Sequence, residues 1–258
     1  MLQGVRRART GLFVVALGAL VLALGQHDAD AQSGAPATDA RAVEIAQEVM
    51  DAMGGHEAWE RTRFVSWLFF ERRQHYWDRW SGDIRIEDAE HLILMNIQNR
   101  QGRAWVNGEE ITAADSLAKL IDKGHAWWIN DSYWAFMPYK LRDPGVSLRY
   151  VGERQMQDGR AADVLEMTFN AVGRTPENKY EVCVDKETRL VGEWSYYAKA
   201  DDAEPRFTGP WTDWKRVGRI MLAASHGRDK DWKLATYEEL PRSVFESPDP
   251  VQLENAAR

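Results

Sequence analysis

One short segment concentrates the residue types that could perform acid–base chemistry, namely Asp131, Tyr133, Lys140, Arg142 and Asp143. A carboxylate beside a lysine or an arginine could act as a general acid–base pair. The same residue types also satisfy the backbone of a long loop, and Asp143 precedes a Pro-Gly pair, where aspartate commonly forms a turn. The structural role explains these residues without a substrate, so we predict no catalytic residue here.

Other catalytic and metal-binding patterns give no stronger signal. The chain contains neither a Gly-x-Ser-x-Gly nucleophile motif nor a glycine-rich phosphate motif. His75, Asp78 and His91 could meet across a hairpin and hold a metal ion, but their spacing is also that of ordinary hydrogen-bonded side chains. We therefore predict no metal, no cofactor and no enzymatic activity.

Aromatic residues are the most conspicuous feature of the sequence, which contains 12 tryptophans. Tryptophan and tyrosine supply a large contact area together with an N–H or O–H group that can orient a polar head group. A solid core packed to near-crystalline density would have the same composition. The alternative that these rings only fill the core therefore stays open. The candidate ligand-binding residues are Trp67, Trp127, Trp128, Trp134, Phe136 and Met137.

The elements that would position these residues begin with a helix and continue as strands. Asp39 or Thr38 can cap a helix whose apolar stripe ends at Gly54-Gly55. The run from Phe64 to Phe70 is apolar on both faces, which predicts a strand whose two faces are both covered. Turn sequences then separate further strand-like runs, as hairpin loops do. They are Ser81-Gly82-Asp83, Arg100-Gln101-Gly102, Asn107-Gly108, Asp158-Gly159 and Asp185-Lys186-Glu187-Thr188. The pattern predicts an antiparallel meander of about ten or eleven strands.

One segment interrupts the meander. Residues 112–124 have the apolar spacing of a helix that Thr112 could cap and Gly124 would end. Residues 127–145 alternate aromatic and polar side chains and contain Pro138, Pro144 and Gly145, which break regular structure. We expect an irregular, apolar lid that packs onto the sheet.

Residues 1–31 have the order of a secretory signal peptide: three arginines, a short apolar run from Gly11 to Gly25, and Ala29-Asp30-Ala31 as a cleavage site. The run is shorter than the roughly 20 apolar residues of a membrane-spanning helix, which disfavours the alternative of an uncleaved anchor. We expect a soluble periplasmic or secreted protein that begins at Gln32.

Composition limits the possible partners of the exported chain. Removing the signal leaves 227 residues and, because it takes away three arginines and two aspartates, changes the net charge from −7 to −8. An acidic protein without basic clusters is a poor binder of nucleic acid. The single cysteine, Cys183, excludes an internal disulfide. We expect a flexible leader over residues 32–37 and one domain over residues 38–258.

Several motifs resemble those of a family of uncharacterised secreted bacterial proteins. The resemblance covers roughly residues 40–240 and is carried by Gly54-Gly55-x-x-x-Trp59, His75-x-Trp77-Asp78-Arg79-Trp80-Ser81-Gly82, Trp128 through Gly145, Gly173-x-Thr175-Pro176-Glu177-Asn178-x-Tyr180 and Trp211-x-Asp213-Trp214. It implies a fold like that of the periplasmic lipoprotein carriers: α+β, with a strongly curved antiparallel sheet forming an incomplete barrel, and helices and a lid covering its concave face.

These observations predict a periplasmic binding or carrier protein for a lipid, an acyl chain or another hydrophobic molecule. A curved sheet under a lid encloses space, and an apolar cavity of that kind takes apolar ligands. The alternative is a non-catalytic interaction or sensor domain with a solid core that docks an envelope protein. The sequence does not distinguish a hollow concave face from a filled one, and it leaves the oligomeric state open.

Overall fold

The computed structural model describes residues 39–170, 173–227 and 232–253. These residues form an α+β structure in which antiparallel strands predominate, as the sequence predicts. No helix among them is long and apolar enough to cross a membrane. The predicted signal peptide and leader lie outside the described residues.

Four α-helices and one 3₁₀ helix are present in the described part of the chain. The α-helices are α1 (Ala40–Ala52), α2 (Gly55–Arg61), α3 (Ala114–Phe136) and α4 (Ser243–Glu246), and the 3₁₀ helix is Met137–Lys140. The capping of α1 follows the sequence prediction, because a side-chain oxygen of Asp39 accepts a 2.6 Å hydrogen bond from the backbone N–H of Ala42. Ile45 and Val49 of α1 are fully buried, so this helix contributes directly to the core.

Fourteen strands occur in the same described ranges: β1 (Phe64–Phe69), β2 (Arg73–Asp78), β3 (Asp83–Glu87), β4 (His91–Asn96), β5 (Gly102–Val106), β6 (Glu109–Glu110), β7 (Val146–Gln155), β8 (Ala161–Phe169), β9 (Lys179–Asp185), β10 (Val191–Tyr197), β11 (Phe207–Pro210), β12 (Thr212–Val217), β13 (Ile220–Ser225) and β14 (Ala235–Tyr237). They form a seven-stranded sheet in the order β14-β1-β2-β3-β4-β5-β6, a five-stranded sheet in the order β11-β10-β9-β8-β7, and the pair β12-β13. The sequence predicts a meander of about ten or eleven strands, whereas the described strands divide into two larger sheets, with α3 between β6 and β7, and a separate strand pair.

The predicted hairpin turns are correct. They connect β2 to β3 at Ser81-Gly82, β4 to β5 at Arg100-Gln101, β5 to β6 at Asn107-Gly108, β7 to β8 at Asp158-Gly159 and β9 to β10 at Lys186-Glu187-Thr188. Asn107 and Gly108 have φ angles of 51° and 83°. A two-residue hairpin turn of type I′ requires positive φ at both positions, which explains this Asn-Gly pair.

The C-terminal segment covers the outer face of the seven-stranded sheet. Phe64 of β1 packs there against Leu240 and Val244, and all three are buried. The guanidinium of Arg85 donates hydrogen bonds to the carbonyl oxygens of Ser247 at 2.7 Å and Asp249 at 2.8 Å. The prediction that both faces of the Phe64–Phe70 run are covered is therefore confirmed.

Helix α3 corrects the prediction for residues 112–145. It continues through Gly124 as far as Phe136, so the segment after Gly124 is largely helical rather than an irregular lid. A Cβ atom on Gly124 would lie 3.0 Å from Cγ2 of Ile93 and 3.2 Å from Sδ of Met95. Glycine thus permits a close approach of the helix to β4 and does not end the helix. Pro138, in the first turn of the 3₁₀ helix, follows the true end.

Candidate functional site

A cleft of about 400 Å³ lies between α3 and the five-stranded sheet. The helix contributes one wall through Ala126, Ile129, Asn130, Tyr133 and Trp134. These positions follow the i, i+3, i+4, i+7, i+8 spacing, which places side chains on a single face of an α-helix. The continuous helix therefore creates this wall, and an irregular loop would not.

Aromatic side chains of the sheet form the opposite wall, which consists of Phe169, Tyr180, Trp194, Tyr196 and Phe207. Tyr180 lies directly opposite Tyr196 across β9 and β10, and Tyr196 lies opposite Phe207 across β10 and β11. Directly opposed residues of antiparallel strands share one face, so the register aligns these rings in a row. Phe207, at the end of the row, is 36% exposed.

The rings of the two walls contact one another around the cleft. Trp134 stacks on Phe207 with ring centroids 5.6 Å apart, and meets Trp194 edge-on at 4.8 Å. Tyr180 stacks on Trp194 at 5.0 Å. The cleft is therefore a gap within an aromatic cluster, and its surroundings suit an apolar ligand.

The loop between β8 and β9 supplies the remaining lining residues, Gly173, Arg174, Thr175 and Asn178. Among the described residues that line the cleft, Arg174 is the only one that carries a charge. Its two terminal nitrogens lie 3.4 Å and 3.2 Å from the carboxylate oxygens of Asp122 on α3. The cleft thus combines aromatic walls with a polar, positively charged mouth.

The opposite side of α3 carries a buried cluster of charged residues. Asp131 is fully buried and accepts hydrogen bonds from Nε and Nη2 of Arg73 at 2.7 Å and 2.9 Å. Nε2 of His75, which is also fully buried, lies 2.8 Å from Asp131 Oδ2. Both partners stand on β2, so the cluster joins the helix to the seven-stranded sheet. Asn130 connects the cluster to the cleft, because its side-chain N–H group donates to Asp131 Oδ1 at 2.9 Å.

Burial and pairing determine the protonation of this cluster. Burial raises the pKa of Asp131, but the hydrogen bonds from His75 and Arg73 outweigh burial and hold the pKa below its ordinary value. Burial lowers the pKa of His75 despite the bond to Asp131. A neutral His75 beside an ionised carboxylate carries its proton on Nε2 and donates it to Asp131. The arrangement is that of a structural ion cluster in which the carboxylate of Asp131 is paired with both neighbours.

The structure places the six predicted ligand-binding residues in three environments. Trp134 lines the cleft. Trp67, Phe136 and Met137 are at most 1% exposed and fill the main core, where Trp67 stacks on His75. Trp127 and Trp128 are half-buried on other faces of α3, against Arg73 and Trp77 respectively. Only Trp134 of the six belongs to the cleft, and a ligand-binding role for any of them stays a prediction.

The residue types considered for acid–base chemistry between positions 131 and 143 have separate partners. Asp131 is held by Arg73 and His75, whereas Lys140 pairs with Asp143. Arg142 donates a 3.1 Å hydrogen bond to the side chain of Gln47 on α1. These contacts are structural, and they separate Asp131 from the other charged members of the segment.

The histidine and aspartate residues considered for a metal site also have separate partners. His75 bonds to Asp131, Asp78 forms an ion pair with Arg63, and His91 bonds to Asp88. Within residues 39–170, 173–227 and 232–253, no group of three histidine, cysteine or acidic side chains could hold a metal ion. Cys183 is fully buried, and burial raises its pKa to about 11, so the thiol stays protonated at neutral pH.

Sequence reasoning missed the sheet wall and Arg174. The alternation of Trp194 and Tyr196 with polar neighbours places both rings on one face of a strand. A helical spacing from Ala126 to Trp134 was also present in the sequence, but the two prolines and the polar residues favoured a loop. The missing information was which helix face would meet which strand face.

Comparisons with known proteins give distant structural similarities. No protein-family model and no curated protein sequence matches the chain. A DUF1329 family protein from Desulfovibrio piger is similar over 80% of this chain and 98% of its own, with 13% identity and a TM-score of 0.39. The complex of MucA and MucB from Pseudomonas aeruginosa contains a chain similar over 61% of this chain and 51% of its own, with 19% identity and a TM-score of 0.24.

A second structure of MucB in complex with MucA(peri) is similar over 71% of this chain and 62% of its own, with 15% identity and a TM-score of 0.25. This chain thus spans between half and two thirds of those two chains. The resemblance to a family of secreted bacterial proteins stays a prediction, and the proposals below are based on the geometry of the cleft.

Proposed function

We propose that this protein is a non-catalytic periplasmic or secreted binding protein whose cleft between α3 and the five-stranded sheet takes a lipid, an acyl chain or a similar hydrophobic molecule. The observation that carries the proposal is the cleft itself, about 400 Å³ in volume and walled mainly by aromatic side chains. Ligand pockets have volumes of about 300–1,000 Å³ and are lined mainly by apolar and aromatic groups with a few polar ones.

The arrangement of the walls supports reversible binding. Phe207 is among the few large apolar side chains exposed in the described part of the chain, and it sits on the wall of the cleft. Burying such surface under an apolar ligand is favourable by about 25 cal/mol per Å². The rest of α3 is fixed to the seven-stranded sheet by the Asp131 cluster, which gives the cleft a stable wall.

Titration with a neutral, apolar fluorescent probe tests the proposal. We expect saturable binding, and displacement of the probe by an acyl lipid. Trp134→Ala removes a ring from the cleft wall and should weaken probe binding by about tenfold or more, since a buried aromatic contact contributes about 1.5–3 kcal/mol. Trp127→Ala is the matched control, because Trp127 is a half-buried tryptophan on the same helix that does not line the cleft.

The control variant should bind the probe as the wild type does. Equal losses in both variants would show that helix stability, and not the cleft, controls binding. If the wild type binds no probe and Trp134→Ala lowers the free energy of unfolding by about 3–5 kcal/mol, as truncation of a core tryptophan does, the binding proposal is wrong.

The second candidate function is an interaction domain that docks an envelope protein through its outer surface. Trp80 favours this candidate, because its side chain is 58% exposed. The ring is held in place by a 3.0 Å hydrogen bond from its indole N–H to the carbonyl oxygen of Glu60 and by the guanidinium of Arg63. Exposed, oriented tryptophans are enriched at protein interfaces. Absence of probe binding by the wild type would favour this alternative.

A further inference from the structure

We infer that the ligand of the cleft is an amphiphile whose anionic head group, a carboxylate or a phosphate, lies beside Arg174. The inference rests on the proposed function, since it names the class of ligand for the same cleft. It depends on three features of the mouth: its charge, the way Arg174 is held, and the orientation of the nearby rings.

The charge at the mouth is positive and has no counterpart within the cleft. Among the described lining residues, Arg174 is the only charged one, and none is a carboxylate. The chain as a whole has a net charge of −7. An acidic protein repels anions at long range, so recognition of an anionic ligand requires a local cation of this kind. Arginine also suits carboxylate and phosphate groups, because its planar fork can donate two parallel hydrogen bonds.

Asp122 positions Arg174 without neutralising the site. Its carboxylate lies 2.8 Å from Nη2 of Arg100 and also accepts from Arg174. One carboxylate therefore serves two guanidinium groups, which leaves one positive charge in excess. Nη2 of Arg100 also lies 3.2 Å from Nδ1 of His125. Burial, followed by the charges of Arg100 and Arg174, lowers the pKa of His125, so this ring stays neutral at neutral pH and the excess charge belongs to the arginines.

The loop around Arg174 offers a further donor. Asn178 is buried and donates a 2.7 Å hydrogen bond from its side chain to Oγ1 of Thr175, which closes the turn after Arg174. Because Thr175 accepts in that bond, it can use its own O–H group to donate to a ligand. An anionic head group at the mouth would thus meet a guanidinium and a hydroxyl.

The ring orientations argue against a cationic ligand. An aromatic cage binds a cation over the faces of its rings. Here Tyr180 and Trp194 stack on each other with an interplanar angle of 7°, and Trp134 stacks on Phe207 with an angle of 13°. Each of these rings turns one face toward its stacking partner, which leaves fewer faces for a cation, and Arg174 would repel a cation at the mouth. The walls therefore fit an apolar chain, and the mouth fits an anion.

Displacement of the neutral probe by amphiphiles with the same chain tests the inference. The set is dodecanoate, dodecyl phosphate, dodecanol and dodecyltrimethylammonium. We expect the wild type to bind one or both anions about tenfold more tightly than dodecanol, as a charge-assisted hydrogen bond provides. Arg174→Gln should lower the ratio of anion affinity to dodecanol affinity to about one, whereas Arg174→Lys should retain part of the preference. High salt should reduce the preference in the wild type.

Arg149→Gln is the matched control, because Arg149 is an exposed arginine that pairs with Glu166 and does not line the cleft. It should leave all four affinities unchanged. A preference for one anion over the other identifies a free acyl carboxylate or a phosphate-bearing lipid as the class of ligand. If dodecanol binds as tightly as the anions, or the cationic amphiphile binds best, the inference is wrong while the proposed function stands. If neither the probe nor any of the four molecules binds, the proposed function fails and this inference fails with it.

Discussion

The two sides of α3 differ in chemistry although they belong to the same 23-residue helix. Toward the seven-stranded sheet, α3 contributes the fully buried Asp131, paired with Arg73 and His75, and a glycine that lets the helix approach β4. Toward the five-stranded sheet it contributes Tyr133 and Trp134, which border a cleft of about 400 Å³. The side toward the seven-stranded sheet is packed through hydrogen bonds and a close glycine contact. The side toward the five-stranded sheet makes ring contacts that leave a cleft.

This difference suggests that the side toward the seven-stranded sheet fixes the helix and that the side toward the five-stranded sheet is available for binding. Paired buried charges and a close glycine contact have one low-energy geometry, so they set the position of α3. Aromatic contacts tolerate more than one arrangement, and they can exchange ring contacts for contacts with a ligand. Three variants test the comparison by changing one side at a time.

Asp131→Ala should have the largest effect. The change leaves Arg73 and His75 beside α3 without their carboxylate, and breaking a buried ion pair costs about 3–5 kcal/mol. We expect the free energy of unfolding, measured by urea denaturation, to fall by about that amount. Asp122→Asn is the control on the same helix, because Asp122 is exposed and its ion pairs are screened by solvent.

The control should leave the urea midpoint close to that of the wild type. A small effect of Asp131→Ala would show that the ion cluster does not fix the helix, and the contrast between the two sides would then be lost. Retention of probe binding at low urea in Asp131→Ala would separate stability from the integrity of the cleft.

Gly124→Val should have the next largest effect. A Cβ at this position would already lie 3.0 Å from Ile93, so a branched side chain forces α3 away from β4. Overpacking of this kind costs about 1–3 kcal/mol. Ala118→Val, at an exposed position of the same helix, controls for the lower helix propensity of valine. Equal urea midpoints in the two variants would contradict close packing at Gly124.

The smallest of the three expected effects is on the pH dependence of the free energy of unfolding. Buried histidines on both sides of α3 contribute to it. Burial lowers the pKa of His226, which packs between Trp211 and Trp232, to about 3, and burial also lowers the pKa of His75. The unfolded chain takes up these protons near pH 6.5, whereas the folded protein takes them up only at lower pH. Stability is therefore fully present above about pH 6.5 and decreases as the pH falls, by about 1.4 kcal/mol per pH unit for each neutral buried histidine.

His226→Phe keeps a ring between the two tryptophans and removes the titration. We expect the loss of unfolding free energy between about pH 6.5 and about pH 5 to be smaller in this variant by about 1–2 kcal/mol. The loss that persists reports His75, for which the bond to Asp131 opposes the effect of burial, together with His125, whose pKa is also lowered by burial and by the charges of Arg100 and Arg174. An unchanged slope would mean that His226 is protonated in the folded protein.

Much of the fold could be predicted because its signals are local. The cap at Asp39, the Asn107-Gly108 turn and the doubly apolar run from Phe64 depend on residues a few positions apart, and the structure confirms each of them. The residues 125–136 were misjudged for a related reason. Gly124 and Pro138 are local signals that favour a break, but packing against β4 keeps the helix continuous as far as Phe136.

The candidate site depends on contacts that no local pattern contains. The amino-acid order specifies that Trp194 and Tyr196 share a strand face, whereas only the structure shows that Trp134 follows Asn130 by one helical turn. The amino-acid order also specifies an aromatic-rich, acidic chain with a single cysteine. The packing of α3 between two sheets decides which of the twelve tryptophans fill the core and which border the cleft. Burial and pairing over long sequence separations assign these roles, because the free energy of a side chain depends on its neighbours in space and not on its neighbours in sequence.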